Sequence, residues 1–117
     1  MIVELVSVGT ELLLGNIVNT NTQYLAEQCA LLGLSLYHQS VVGDNHDRMA
    51  EVVKTALGRS DVVILTGGLG PTEDDLTKEV CAEVMGYKLV EDPHTREHLE
   101  QFFKLSLIHI SEPTRHL

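Results

Sequence analysis

A continuous apolar run at residues 61–66, DVVILT, constrains the fold of this chain more than any other segment. A strand with one face in solvent alternates polar and apolar residues, whereas an unbroken apolar run is typical of a strand covered on both faces. Strands of that kind occur almost only in parallel sheets with helices on each side. The run therefore predicts an α/β domain.

Strand-like and helix-like segments alternate along the chain. Residues 2–8 and about 34–42 predict two further short strands. Apolar residues recur at helical spacing after each of the first two strands, at Leu25–Leu32 and at Met49–Leu57. Three more elements complete the predicted order: a helix from Pro71 and Thr72 to about residue 85, a weak strand at Tyr87–Val90 and a helix after Pro93.

This alternation predicts a three-layer α/β/α fold with a mostly parallel sheet and right-handed crossovers. The 117 residues suffice for one domain and are too few for two ordinary ones. In open sheets of this type, ligands bind beyond the carboxyl ends of the strands. We therefore expect functional residues to follow the three strong strands, at Gly9–Thr10–Glu11, at Gly43–Asp44 and in the segment 66–77.

The segment 66–77, TGGLGPTEDDLT, is rich in glycine. Gly67, Gly68 and Gly70 allow positive φ and a close approach of a ligand to the backbone. Thr72 with Asp75 resembles a capping box, which places free N–H groups of a helix N-terminus at the loop. The loop is not a P-loop, because no Gly-Lys-Ser/Thr follows it. It predicts either an anion site built from backbone amides or a tight strand-to-helix turn.

Two adjacent acids, Asp74 and Asp75, follow the glycines, in the expected first helical turn. A carboxylate repels a phosphate unless a divalent cation lies between them, and Mg²⁺ commonly binds through one or two carboxylates plus substrate phosphates. We therefore expect Mg²⁺ or another divalent cation here. Glu11 and Asp44, at the other two strand ends, are candidates for the same site.

The charge of the chain limits its partners. Seventeen acids and eight bases give a formal net charge of −9, which argues against nucleic acid because phosphate backbones are bound through clustered Lys and Arg. No apolar run is long enough for a membrane helix, and the N-terminus lacks the pattern of a signal peptide. We expect a cytoplasmic protein with no membrane partner.

Three motifs together resemble the N-terminal domain of the CinA (competence/damage-inducible protein A) family, which belongs to the molybdopterin-binding, MoaB/MogA-like superfamily. They are VSVGTELLLGNIVNTNTQYLA, VGDN and VILTGGLGPTEDDLTKE. The resemblance covers about residues 1–103. It implies a MoaB/MogA-like fold that binds a phosphorylated pterin or nucleotide, metal-dependent hydrolysis of ADP-ribose at its pyrophosphate, and homo-oligomeric full-length members.

Carried over by motif, the resemblance implies two sets of site residues. Catalytic and metal-binding roles fall on Asp44, Asp74 and Asp75. Ligand binding falls on Gly9, Thr10, Glu11, Asn16, Gly67, Gly68, Gly70, Thr72 and Thr77.

The chain departs from the family near its end. From Leu105, the sequence LSLIHISEPTR resembles the translation of a sequencing-library adapter. We therefore expect a partial domain at residues 1–104 and a non-native tail at 105–117. The family's C-terminal domain, which deamidates nicotinamide mononucleotide, has no counterpart here, so we expect no amidase activity. Two alternatives to hydrolysis stay open: a non-catalytic pterin-binding module, and an inactive fragment with an incomplete sheet.

A separate motif, HTREH at 94–98, fits the inverted zinc-protease pattern. Catalytic zinc needs a third protein ligand, and five-residue patterns arise by chance. We interpret this segment as a solvated helix surface.

Overall fold

The computed structural model describes residues 1–90, 93–94, 96–98 and 100–101. Its strands are β1 (Ile2–Val8), β2 (Ser35–Val42) and β3 (Val62–Thr66). They form one sheet in the order β2-β1-β3, and β1 is parallel to both neighbours. The predicted parallel sheet is confirmed, and its three strong strands are found within one residue of the predicted bounds.

The helices in chain order are α1 (Thr10–Leu13), α2 (Thr20–Leu31), α3 (His46–Arg59) and α4 (Thr77–Met85). The one-turn helix α1 was not predicted. Asn19 and Asn45 cap α2 and α3, because their side-chain oxygens accept hydrogen bonds from the amides of Thr22 and Arg48.

Two separate apolar clusters cover the two faces of the sheet. Successive side chains of a strand point to opposite faces, so Val3 and Leu5 lie on one face of β1 while Val6 and Val8 lie on the other. The first pair packs with α2 around Cys29, and the second pair packs with α3 and α4 around Met49 and Val80. The result is the predicted three-layer arrangement.

The strand β3 is less covered than its sequence predicts. All five of its residues are half-buried, because β3 is an edge strand of the described sheet and has only β1 as a neighbour. The other edge strand, β2, also has exposed apolar side chains at Tyr37 and Val41.

Two predicted elements differ from the structure. The helix expected to open at Pro71 and Thr72 begins only at Thr77, so Asp74 and Asp75 lie in the loop before α4 and not in its first turn. The weak strand predicted at Tyr87–Val90 is not formed. These residues are exposed and pair with no strand of the described sheet.

The C-terminal predictions are only partly covered. The described residues after position 92 are helical, as predicted for the segment following Pro93. The expected non-native tail at 105–117 lies outside the described residues. Within the described ranges, no helix has the length and apolar character needed to cross a bilayer.

A buried ion pair closes the amino end of the sheet. Glu4 on β1 is fully buried, and its carboxylate accepts two hydrogen bonds from the Arg59 guanidinium, at 2.9 and 2.8 Å, and a third from the Ser60 hydroxyl at 2.8 Å. The Arg59 hydrogen bonds are the main reason why the pKa of Glu4 is lowered despite its burial. This end of the sheet is therefore structural, and the opposite end is left for a ligand.

Candidate ligand-binding site

The strand order has a topological switch point between β1 and β3. After β1 it passes through α2 on one face to reach β2, and after β2 it passes through α3 on the other face to reach β3. The loops leaving β1 and β3 therefore diverge at their carboxyl ends. A crevice at such a point is where ligands bind in open α/β sheets.

A pocket lies at this point. Its volume is about 230 Å³, slightly below the range of about 300–1,000 Å³ typical of small-molecule sites, so it encloses only part of a ligand of that size. Its lining comes from the ends of β1 and β3 and from the segment between α1 and the start of α2: Val8, Glu11, Leu12, Ile17, Val18, Asn19, Thr20, Asn21, Thr66 and Gly67. No lysine or arginine is among these residues, so backbone or side-chain amides must meet the charge of an anion here.

The predicted glycine loop contributes its first residues, Thr66 and Gly67, to the lining of this pocket. Gly67 and Gly68 have φ of 89° and 64°, which side chains rarely adopt. A β-carbon on Gly67 would also collide with the Val8 carbonyl oxygen of β1. Close approach of two backbones therefore requires glycine at position 67.

The first turn of α4 is hydrogen-bonded to the same loop through Thr77. The Thr77 hydroxyl donates to the Gly67 carbonyl at 2.7 Å, and the Thr77 amide donates to the Gly68 carbonyl at 3.2 Å. Thr77 is only 3% exposed. Its hydroxyl thus binds the backbone of the glycine loop.

The second half of the loop is closed by Asp75. One oxygen of its carboxylate accepts hydrogen bonds from the Thr72 hydroxyl at 2.6 Å and from the Thr72 amide at 3.0 Å. The Thr72 hydroxyl and amide, with a smaller contribution from the Gly70 amide and the Lys78 charge, lower the pKa of Asp75. The Thr72–Asp75 pair expected as a helix cap is thus present, but it closes a turn that precedes the helix.

The end of β2 joins the site through Asp44. The Thr10 hydroxyl donates to the Asp44 carboxylate at 3.2 Å and accepts from the Asp44 amide at 3.2 Å. The Gly9 amide donates to the Val42 carbonyl at 2.9 Å, which holds the two strand ends together. The structure therefore brings Thr10 to Asp44, next to Glu11, which lines the pocket.

Carboxylates at this edge do not form a metal cage. Among the described residues, no group of three or more His, Cys, Asp or Glu side chains is arranged to hold a metal ion. His94 and His98, the two histidines of the zinc alternative, are both exposed. Asp74 is also exposed and makes no hydrogen bond or ion pair to a described residue.

The sequence predicted some lining residues and missed others. Glu11 and Gly67 lie in one pocket, as expected, whereas Asn16 is exposed and contributes only its amide, which donates to the Glu11 carbonyl at 2.9 Å. The start of α2, at Asn19–Asn21, also lines the pocket, although no ligand contact was predicted there. The strand order β2-β1-β3 is the signal that would have placed these residues beside the glycine loop.

Beneath this wall, a buried Ser7 hydroxyl is hydrogen-bonded to Thr22 Oγ1 at 2.7 Å and accepts from the Asn19 side-chain amide at 2.9 Å. A serine inside an apolar strand gave no sequence signal for this contact. It fixes the start of α2 against β1 and so supports the pocket wall.

A parallel three-layer domain with a crevice at the carboxyl edge of its sheet belongs to the class of open α/β proteins that bind ligands at this edge. The sequence profile of one family of this class, described as "Probable molybdopterin binding domain", matches residues 4–113. The chain belongs to this family.

Its relatives are of the CinA type. A CinA-like protein of the cyanobacterium Nostoc is 55% identical over 103 residues, which cover 88% of this chain and 24% of that protein. The chain thus spans about a quarter of the length of the curated relatives it matches.

Solved structures agree with the fold. The crystal structure of CinA from Thermoplasma acidophilum, a protein of unknown function, superposes with a TM-score of 0.83 at 32% identity and covers 88% of this chain and 61% of that chain. The molybdopterin biosynthesis enzyme MoaB from Thermus thermophilus superposes with a TM-score of 0.66 at 21% identity, covering 70% of this chain and 53% of that chain. The second similarity concerns the fold alone, and it confirms the predicted MoaB-like architecture.

Proposed function

We propose that this domain binds a phosphorylated pterin in the crevice between the ends of β1 and β3, with the phosphate on the glycine loop. The observation that carries the proposal is a pocket at the topological switch point whose loop backbone is held in a positive-φ conformation, in a chain of the molybdopterin-binding family. A pterin ring has several hydrogen-bonding edges, and Asn19, Thr20 and Asn21 supply neutral polar groups on the facing wall.

The predicted divalent cation fits this edge only if the phosphate of the ligand supplies some of its ligands. Mg²⁺ keeps several waters and is commonly held by one or two carboxylates plus ligand phosphates. Asp44 has one carboxylate oxygen without a partner in the described chain, and Asp74 has both. Asp75 is less suitable because its carboxylate already accepts two hydrogen bonds from Thr72 and another from the Gly70 amide, whereas the Asp44 carboxylate accepts one from the Thr10 hydroxyl. The residues therefore suit a cation that arrives with the phosphate and not one that the protein holds alone.

Hydrolysis of a nucleotide-sugar pyrophosphate such as ADP-ribose is the second candidate. It is favoured by the free carboxylate oxygens of Asp44 and Asp74 at the anion-binding edge, because such groups can hold a cation or a water against a phosphate. Loop amides would stabilise the negative charge that develops on the phosphate, an effect of about 2.7–4 kcal/mol per donor in other enzymes.

Calorimetric titration of the 117-residue chain separates the two candidates. We expect a pterin phosphate to bind in the presence of Mg²⁺, MgCl₂ alone to give no heat of binding, and Asp74→Asn to weaken the Mg²⁺-dependent part. Absence of binding by any pterin phosphate would refute the first proposal. Release of AMP from ADP-ribose that is lost in Asp44→Asn would favour the second, and strong binding of MgCl₂ alone would contradict the assignment of the cation to the ligand.

A further inference from the structure

We propose that Thr77 is the positioning residue of the glycine loop and that the amides of Gly68 and Leu69 are the donors to the anion. Thr77 sets these amides by holding the carbonyls that precede them. The inference rests on the proposed function, since it names the groups of that site which meet the phosphate. It differs from the expectation drawn from the sequence, in which Thr77, Gly70 and Thr72 themselves contact the ligand.

The argument begins with the hydrogen bonds of Thr77. Its hydroxyl holds the Gly67 carbonyl and its amide holds the Gly68 carbonyl, so two successive carbonyls are turned towards the start of α4. Among the described residues, no buried side-chain nitrogen or oxygen lacks a partner, so the hydroxyl of Thr77 is satisfied by this contact. A β-carbon on Gly68 would collide with the same hydroxyl, which shows how closely the loop lies on Thr77.

Because the peptide bond is planar, the orientation of each of these carbonyls fixes the orientation of the N–H group that follows it. In a trans peptide the C=O and the following N–H point in opposite directions, and the described residues contain no cis peptide. The Gly68 amide shares a plane with the Gly67 carbonyl, and the Leu69 amide shares a plane with the Gly68 carbonyl. Both N–H groups therefore point away from α4. Neither donates to any group within the described ranges.

Two later amides of the glycine loop, those of Gly70 and Thr72, are already engaged. The Thr72 amide donates to the Asp75 carboxylate at 3.0 Å, and the Gly70 amide contributes to lowering the pKa of the same carboxylate. The Asp75 carboxylate thus occupies the second half of the loop. Gly68 and Leu69 are the two positions in the first half at which an external anion meets free donors, and Gly67 beside them lines the pocket.

A hydroxyl is needed at residue 77 because glycine does not fix its own peptide orientation. Gly67 and Gly68 have access to both signs of φ, so the plane between them is free to rotate when its carbonyl has no donor. Valine has nearly the shape of threonine but no hydroxyl. Thr77→Val would therefore leave the packing in place and release the plane, whereas Thr77→Ser keeps the donor.

The test measures binding of inorganic pyrophosphate in the presence of Mg²⁺ by calorimetry. We expect Thr77→Ser to bind like the wild type and Thr77→Val to bind at least about tenfold more weakly, the change expected when one hydrogen-bond donor is misdirected. Thr55→Val, on the exposed surface of α3, is the matched control and should bind like the wild type. Equal affinity in Thr77→Val and the wild type would overturn the inference.

A second measurement needs no ligand. NMR spectra should show one amide resonance for Gly68 in the wild type and in Thr77→Ser, and two or a broadened one in Thr77→Val as the plane samples both orientations. Identical Gly68 and Leu69 resonances in all variants would overturn the inference, even if no pyrophosphate binds. Absence of pyrophosphate binding to the wild type, with the expected resonances, would instead refute the proposed function. If Thr77→Val does not fold, Thr77→Ala replaces it in both measurements.

Discussion

Gly67 occupies a position at which the structure has no space for a side chain. Its φ of 89° and its contact with the Val8 backbone leave no space for a β-carbon. Strained backbone conformations cost about 1–3 kcal/mol each, and here a collision with backbone adds to that cost. We expect Gly67→Ala to lower the free energy of unfolding by about 3 kcal/mol or more, measured by urea denaturation.

Gly33 provides the control for this prediction. It has a similar φ of 73°, at the end of α2, but a β-carbon there would meet nothing within 4 Å. Gly33→Ala should cost only the left-handed conformation, about 1–2 kcal/mol. Equal losses in the two variants would mean that the approach of the Gly67 and Val8 backbones is not as close as described.

The buried Glu4 carboxylate accepts hydrogen bonds from Arg59 and Ser60. Replacement by glutamine removes the charge that Arg59 faces, but Arg59 is 40% exposed and can be rehydrated. We therefore expect Glu4→Gln to lower the free energy of unfolding by about 2 kcal/mol, below the cost of breaking a fully buried pair. The exposed Glu51, which has no partner in the described chain, is the control, and Glu51→Gln should change stability by less than about 0.5 kcal/mol.

The same pair has a defined pH dependence. The pKa of Glu4 is lowered from its ordinary value of 4.5 in the folded state, so its contribution to stability is fully present above pH 4.5 and is lost as the pH falls through the folded pKa. The difference in stability between the wild type and Glu4→Gln should therefore shrink below pH 4.5. A difference that grows towards acid pH would contradict the ion pair.

Site residues were predictable from the sequence where the motif itself specifies a conformation, as at Gly67 and Gly68. Their roles were less predictable. Thr77 was predicted to bind the ligand, and Asp75 to bind a metal or take part in catalysis. In the structure each is hydrogen-bonded to the loop itself. A sequence shows which polar groups lie near a loop, but only coordinates show which of them are already satisfied by the backbone.

At the scale of elements, α3 and α4 are joined by a histidine at the start of α3. His46 Nε2 lies 2.6 Å from Glu83 Oε2 on α4, and Nδ1 lies 3.0 Å from the adjacent Asp47. The hydrogen bond to Asp47, and then that to Glu83, raise the pKa of His46 above its ordinary value of 6.5. The link between the helices is therefore strongest when the histidine is protonated.

We expect NMR titration to show that both Asp47→Asn and Glu83→Gln lower the pKa of His46. Because the folded pKa is raised, the contribution to stability is fully present below pH 6.5 and is lost as the pH rises through the folded value. The melting temperature of Glu83→Gln should thus differ most from that of the wild type below pH 6.5. Glu79→Gln, on an exposed position of α4, is the control, and an unchanged His46 titration in Glu83→Gln would contradict the link.

Helices α2 and α3 were predictable from the periodicity of their apolar residues, although both begin several residues before the predicted segments. A predicted boundary was also wrong where a local motif is used for something else. Thr72 and Asp75 form the expected hydrogen bonds, but these close a turn, and α4 starts five residues later because the Thr77 amide bonds to Gly68. Helix α1 was missed because one turn is too short to show a period.

At the scale of the whole molecule, β2 and β3 each leave one edge unpaired within the described sheet. An edge with exposed apolar side chains is a template for pairing with another chain. Val41 on β2 is 40% exposed. We expect sedimentation to show concentration-dependent association of the wild type, and Val41→Lys to reduce it. Val90→Lys, 86% exposed and outside any strand, is the control. Equal association in the two variants would show that the β2 edge is not the contact.

The two apolar clusters lie on opposite sides of β1 and share no residue. Substitutions more than about 7–10 Å apart without common partners are usually additive within about 0.5 kcal/mol. Val53→Ala and Cys29→Ala, one from each side, should therefore behave independently in a double-mutant cycle. Substitutions in the half that bears the glycine loop should then leave the energetic contribution of the half beneath α2 unchanged, so the two halves can diverge independently.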